Sequence, residues 1–152
     1  MKRTLLSLAL FAVISLPAAA QDLAFRGWGP RAGVSDNPDQ IVVGAQFNFG
    51  EVYRDVRLQP SIDLGFGDDE KILSVNVPVF YRYPASRALT LYGGGGLALG
   101  YIDSDHDGTD FDISPLLAGG LEWPVAPGRL SLELSVTGGN LPAAKLVVGW
   151  MF

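Results

Sequence analysis

The chain has 152 residues, 48% of them apolar and only 18% charged, with a formal charge of −5 and no cysteine. That length sets one domain as the prior; the acidity, with its few scattered basic residues, excludes nucleic acid as a natural partner, and the lack of cysteine excludes a disulfide framework. A water-soluble domain carries roughly a quarter of its residues charged, so this one predicts a surface that does not all face water.

In chain order, Lys2 and Arg3 precede an apolar run from Leu5 to Leu16, and Ala18-Ala19-Ala20 follows before Gln21. A short basic region, an apolar core too short to span as an anchor and small residues for cleavage make a secretory signal. The expected organisation is therefore a signal peptide over 1–20 and one domain over 21–152. Removal of Lys2 and Arg3 leaves nine basic residues against 16 acidic ones, a mature charge of −7. After residue 20 no apolar run approaches the roughly 20 residues of a membrane helix.

The rest of the chain alternates with period two, the pattern of strands. The first run, about Leu23 to Val34, is the least regular: Trp28, Pro30, Ala32 and Val34 share a face with Arg31 opposite, but Arg26 breaks the rule. From Ile41 to Gly50, Ile41, Val43, Ala45, Phe47 and Phe49 oppose Val42, Gly44, Gln46 and Asn48. Val56 to Phe66 is cleaner, with Arg57, Gln59, Ser61 and Asp63 on the polar side. Runs over Leu73 to Tyr83, Leu89 to Tyr101, Phe111 to Trp123, Leu130 to Val136 and Lys145 to Phe152 continue it. Turn-forming residues separate them: Ser35 to Asp39, Gly67 to Lys71, Asp103 to Asp110 and Thr137 to Ala144 in one set; Glu51 to Asp55, Pro84 to Arg87 and Pro124 to Arg129 in the other. The count is eight strands, an even number, which closes antiparallel strands with both termini at one end.

The apolar face is large and aromatic. The other is rich in Gly, Ser and Ala with a few isolated charges, Arg57, Asp63, Arg82, Asp112, Glu122, Glu133 and Lys145. Sparse opposite charges among small residues suit the cramped lumen of an eight-stranded barrel, not a water-facing exterior. The expected fold is all-β: an up-and-down transmembrane barrel of eight antiparallel strands, with every backbone polar group paired by closure. The seven charges are expected to pair across the lumen, because a buried unpaired charge costs several kcal/mol. Tyr81, Tyr83, Trp123, Trp150 and Phe152 fall at one limit of the apolar band and Phe66, Tyr101 and Phe111 at the other, as membrane-interface aromatics do.

The terminal strand Lys145-Leu-Val-Val-Gly-Trp-Met-Phe152 and the glycine-rich run Leu91-Tyr-Gly-Gly-Gly-Gly-Leu-Ala-Leu-Gly-Tyr101 resemble those of small OmpA-like and OmpX-like outer-membrane barrels, over essentially the whole mature chain. The resemblance implies a bacterial outer-membrane location and lipid and lipopolysaccharide as surroundings. It also implies that Phe152 is part of the signal read by the barrel assembly machinery. It says little about function, since this architecture hosts structural proteins, adhesins, pores and enzymes.

Candidate sites are few. Gly93 to Gly96 lies within a strand and lacks the Lys-Ser/Thr pair of a phosphate loop. Asp103, Asp105 and Asp107 carry the Asp-x-Asp-x-Asp-Gly opening of a calcium loop, with Asp110 two residues beyond it as a further candidate ligand, but Ser114 stands where the closing Glu belongs. A weakly bound Ca²⁺ or Mg²⁺ is the only cofactor this suggests, against a solvated acidic turn. His106, the single histidine, neighbours Ser104 but no shaped nucleophile site. The expected function is a structural, envelope-integrity barrel, monomeric and with a narrow or closed lumen. A lipid A-modifying enzyme and a binding module using the acidic loops are the alternatives.

Overall fold

The computed structural model describes residues 23–37, 39–68, 70–104 and 108–152. The expected signal peptide lies outside them. The described residues form ten strands in one sheet: β1 (Gly27–Asp36), β2 (Gln40–Asn48), β3 (Glu51–Tyr53), β4 (Val56–Leu58), β5 (Ser61–Phe66), β6 (Glu70–Ser86), β7 (Leu89–Ser104), β8 (Gly108–Val125), β9 (Gly128–Thr137) and β10 (Ala144–Met151). All pairings are antiparallel, and the sheet closes through β1 on β10 and β6 on β7.

Ten segments make eight staves. β2 runs on into β3, and β4 into β5, with one interruption each. Gly50 takes a left-handed φ of 82° that a side chain would resist, and its N–H donates to Asn48 Oδ1 at 2.9 Å. On the facing stave Pro60 supplies no N–H, and the chain bridges the gap through Phe49 N to Leu58 O and Phe47 N to Pro60 O. The irregular first run resolves simply: β1 starts at Gly27, so Arg26 precedes the pleat and is exposed.

Three hairpins run further than turn residues suggest. β6 continues past Pro84 to Ser86, β8 reaches Val125, and β7 and β8 stay paired through Ser104 and Gly108. Asp103 and Asp110 therefore belong to the ladder, not to a loop. Local turn chemistry permits a turn there, but the ladder wins by pairing every backbone group it reaches.

Alternation puts one side of every stave on the outside. Ile62, Leu64, Leu73, Val77, Leu97, Leu117, Leu134 and Val148 are all exposed, while Asp63, Ser74, Asn76, Ala98, Leu116, Glu133, Ser135 and Val147, which alternate with them, are buried. Tyr101 and Leu91, whose partner is Tyr83, lie ten residues apart on β7. That is about 33 Å along a strand, or about 25 Å along the axis at a tilt of roughly 40°, the height of a lipid-facing band. At the end bearing the short turns, Trp28, Tyr53, Tyr81, Tyr83 and Phe152 are exposed; at the other, Phe66, Tyr101 and Phe111 are.

Candidate functional site

The lumen is the place where chemistry could happen, and it is filled in layers. At the end bearing the longer loops, Ile72, Ala98, Ile102, Leu116 and Leu141 form an apolar plug. Leu141 comes from the segment between β9 and β10, which folds inward. Five bonds among the described residues hold it: Asn140 N to Asp112 Oδ2 at 2.8 Å, Gly138 N to Pro115 O at 3.2 Å, Ala143 N to Asn37 O at 3.3 Å, Thr137 N to Ala143 O at 3.2 Å, and Thr137 Oγ1 to Pro142 O. Gly100 makes room, since a Cβ there would collide with Leu141 Cδ2. Burying such a leucine is worth about 1.5–3 kcal/mol.

Below the plug lies a balanced ion cluster. Arg31 Nη2 donates to Glu133 Oε1 at 3.0 Å, and Lys145 Nζ to Asp63 Oδ2 at 3.0 Å. Arg31 Nε stands 3.1 Å from Asp63 Oδ1, close enough to pair in charge though not aligned as a hydrogen bond. Asn76 Nδ2 donates to Asp63 Oδ2 at 2.9 Å, and the Tyr92 hydroxyl to Glu133 Oε2 at 3.2 Å. Two cations meet two carboxylates, all buried. In this low dielectric each pair is strong, and the added hydrogen bonds offset desolvation.

Next, Phe80 and Tyr92 meet edge to face, with centroids 5.0 Å apart. Beyond them sits a second cluster of different balance. Glu122 alone receives Arg57 Nη2 at 2.9 Å and Arg82 Nη2 at 2.7 Å, with Arg129 Nε at 3.6 Å.

Six of the seven charges expected in the lumen, Arg57, Asp63, Arg82, Glu122, Glu133 and Lys145, line these two clusters, which the aromatic pair separates. The seventh, Asp112, takes no part in either. It sits near the loop-end rim, where it accepts from Ser114 Oγ at 2.8 Å and from Asn140 N, and so anchors the inward-folding segment. Sequence reasoning left out Arg31, Tyr92 and Arg129. Period two turns Arg31 inward, which is the sequence signal for its place here; Arg129 lies in a turn-rich stretch that carries no such signal.

Of the calcium-loop residues, Asp105 and Asp107 lie outside the described residues, as does His106. Asp103 pairs with Thr109, and Asp110 with Ile102. Since Ile102 points inward, Asp103 and Asp110 face opposite sides of the sheet and do not converge. Ser104 donates its hydroxyl to Glu70 Oε1 at 3.0 Å.

The chain matches no protein-family model and no curated protein sequence. Solved structures do match. Neisserial surface protein A superposes with a TM-score of 0.63 at 15% identity, over 82% of this chain and 93% of that one. The outer membrane protein Ail of Yersinia pestis, in a phospholipid bilayer nanodisc, gives 0.51 at 15% identity, over 83% and 99%. The fold is that of a small outer-membrane β-barrel. A de novo designed protein, TMB2.3, also matches, at 0.54 and 16% identity, over 87% and 96%. What such identities show as shared is the closed sheet.

Proposed function

We propose that the mature chain is an integral outer-membrane barrel with a structural, envelope-integrity role and a lumen closed to solutes. The carrying observation is the stack inside it: the Leu141 plug, the Asp63 cluster, the Phe80–Tyr92 pair and the Glu122 cluster fill successive layers of the lumen, which supports a closed interior. The exposed apolar band and its aromatic rims support residence in a membrane. Export by the N-terminal signal, assembly through the Phe152 end of β10, and outer-membrane lipids with lipopolysaccharide as surroundings belong to the same reading. So does an orientation with the short turns and both mature termini in the periplasm.

Reconstitution tests it, with conductance and lipid mass spectrometry on one sample. Expected are no discrete channel openings and unaltered lipids. Steady openings would make the protein a pore, and deacylated or otherwise edited lipid A would make it an enzyme.

A further inference from the structure

The Glu122 cluster opens onto a cavity of 380 Å³ at the short-turn mouth of the barrel. Four guanidiniums line it: Arg26 at the rim, Arg57 at depth, and Arg82 and Arg129 between. The carboxylates set against them are Glu122, already shared by three arginines, and Glu51 at the exposed rim. The site is therefore electropositive, whereas the Asp63 cluster above it is balanced.

The decisive residue is Arg57. Only 2% of it is exposed, and its one hydrogen bond runs from Nη2 to Glu122. Its Nε and Nη1, both buried, have no acceptor among the described residues, and neither has Arg82 Nε. A guanidinium offers five N–H donors and no acceptor, so only an oxygen-rich acceptor or water can satisfy these groups. Asn48 borders the same cavity, and its Oδ1 is already taken by Gly50 N, which leaves its amide N–H groups to meet a ligand.

We infer that this vestibule binds a phosphate-type oxyanion, held by Arg57 at its base, by Arg82 and Arg129 along its wall and by Arg26 at its rim. Planar guanidinium forks match the geometry of such an anion, and low dielectric strengthens each bond. The anion would also relieve the excess positive charge that one carboxylate leaves. Its source is either free phosphate or the headgroup of a lipid at that mouth. The inference does not depend on the envelope role proposed above.

The test uses full mature protein folded in a maltoside detergent free of phosphate, followed through its arginine Nε–Hε NMR signals. Inorganic phosphate is one probe and a short-chain phosphatidic acid the other, with chloride at matched ionic strength as reference. We expect saturable, joint displacement of the Arg57 and Arg82 signals by one or both probes. A response to phosphatidic acid alone assigns the site to a lipid headgroup; a response to phosphate shows that the free ion suffices. Arg82→Gln/Arg129→Gln, at two partly exposed positions, should weaken binding at least tenfold, while Lys71→Gln at the far mouth should not change it. No saturable response to either probe, an equal response to chloride, or unchanged affinity in a correctly folded double variant would overturn the inference.

Discussion

Lys145 and Asp63 meet at 3.0 Å across the lumen, although β10 and β5 share no edge. The contact exists only because the sheet is closed. It joins opposite walls of the barrel, and Asp63 also holds Arg31 and Asn76. Loss of the carboxylate strands buried Lys145 and leaves Arg31 with Glu133 as its one carboxylate partner. Asp63→Asn should cost about 3–5 kcal/mol, the scale for breaking a buried ion pair. Lys145→Met should cost less, because Asp63 keeps two partners, and adding it to Asp63→Asn should restore part of the loss. Urea unfolding in lipid vesicles measures all three; a smaller loss for Asp63→Asn than for Lys145→Met would contradict the shared-anion arrangement.

The membrane face can be read one residue at a time. Leu97 is 53% exposed at mid-height, and Ala98 beside it is 0% exposed inside the lumen. Cysteines placed at the two positions should differ, with Leu97→Cys reacting with a lipid-phase label and Ala98→Cys protected. Leu97→Arg should cost about 2–4 kcal/mol in a bilayer, as a charge near the midplane does. Equal labelling at both sites would undo the inside-outside assignment.

Within the glycine run, neighbours should behave oppositely. A Cβ on Gly93 would meet nothing nearer than Ala118 O at 3.8 Å, whereas one on Gly94 would strike Val79 O and come within 3.1 Å of Phe80 Cα. Gly93→Ala should be close to neutral. Gly94→Ala should cost about 1–3 kcal/mol through overpacking against β6. Parallel unfolding curves for the two variants would decide the matter.

Phe152 closes the seam between the first and last staves. Its N–H donates to Trp28 O at 3.0 Å, and its ring lies 5.9 Å from that of Trp28 and 6.3 Å from that of Trp150. Phe152→Ala should cost only about 1–3 kcal/mol in refolded protein, from two aromatic contacts. If the residue also serves assembly, membrane yield in cells should fall severalfold, more than that stability loss implies. Unchanged yield would remove the assembly role.

A closed barrel is slow to open, since every stave has two partners. Unheated and boiled samples should therefore migrate differently in detergent gels. Identical migration would mean that the ladder of β1 on β10 does not form in solution.

Period-two alternation by itself determined which side of each strand is which. From Val56 to Phe66 it put Arg57, Gln59, Ser61 and Asp63 on one face, and all four are buried. Charge placement followed, because an isolated charge in a cramped interior needs a partner. Which partner was beyond the sequence. Arg57 finds Glu122, 65 residues away, while Arg31 finds Glu133, because the stagger of the staves fixes which inward side chains share a height. No local pattern encodes that stagger. Asp112 shows the limit from the other side: it alternates like a lumen charge, yet it lies near the rim and caps a loop. Leu141 shows it again, since a leucine among turn residues reads as solvent-facing until closure creates an apolar mouth for it to fill. Alternation is set by the backbone pleat and is local; the plug and the two unlike ion clusters depend on bringing opposite walls together, which only the closed tertiary structure does.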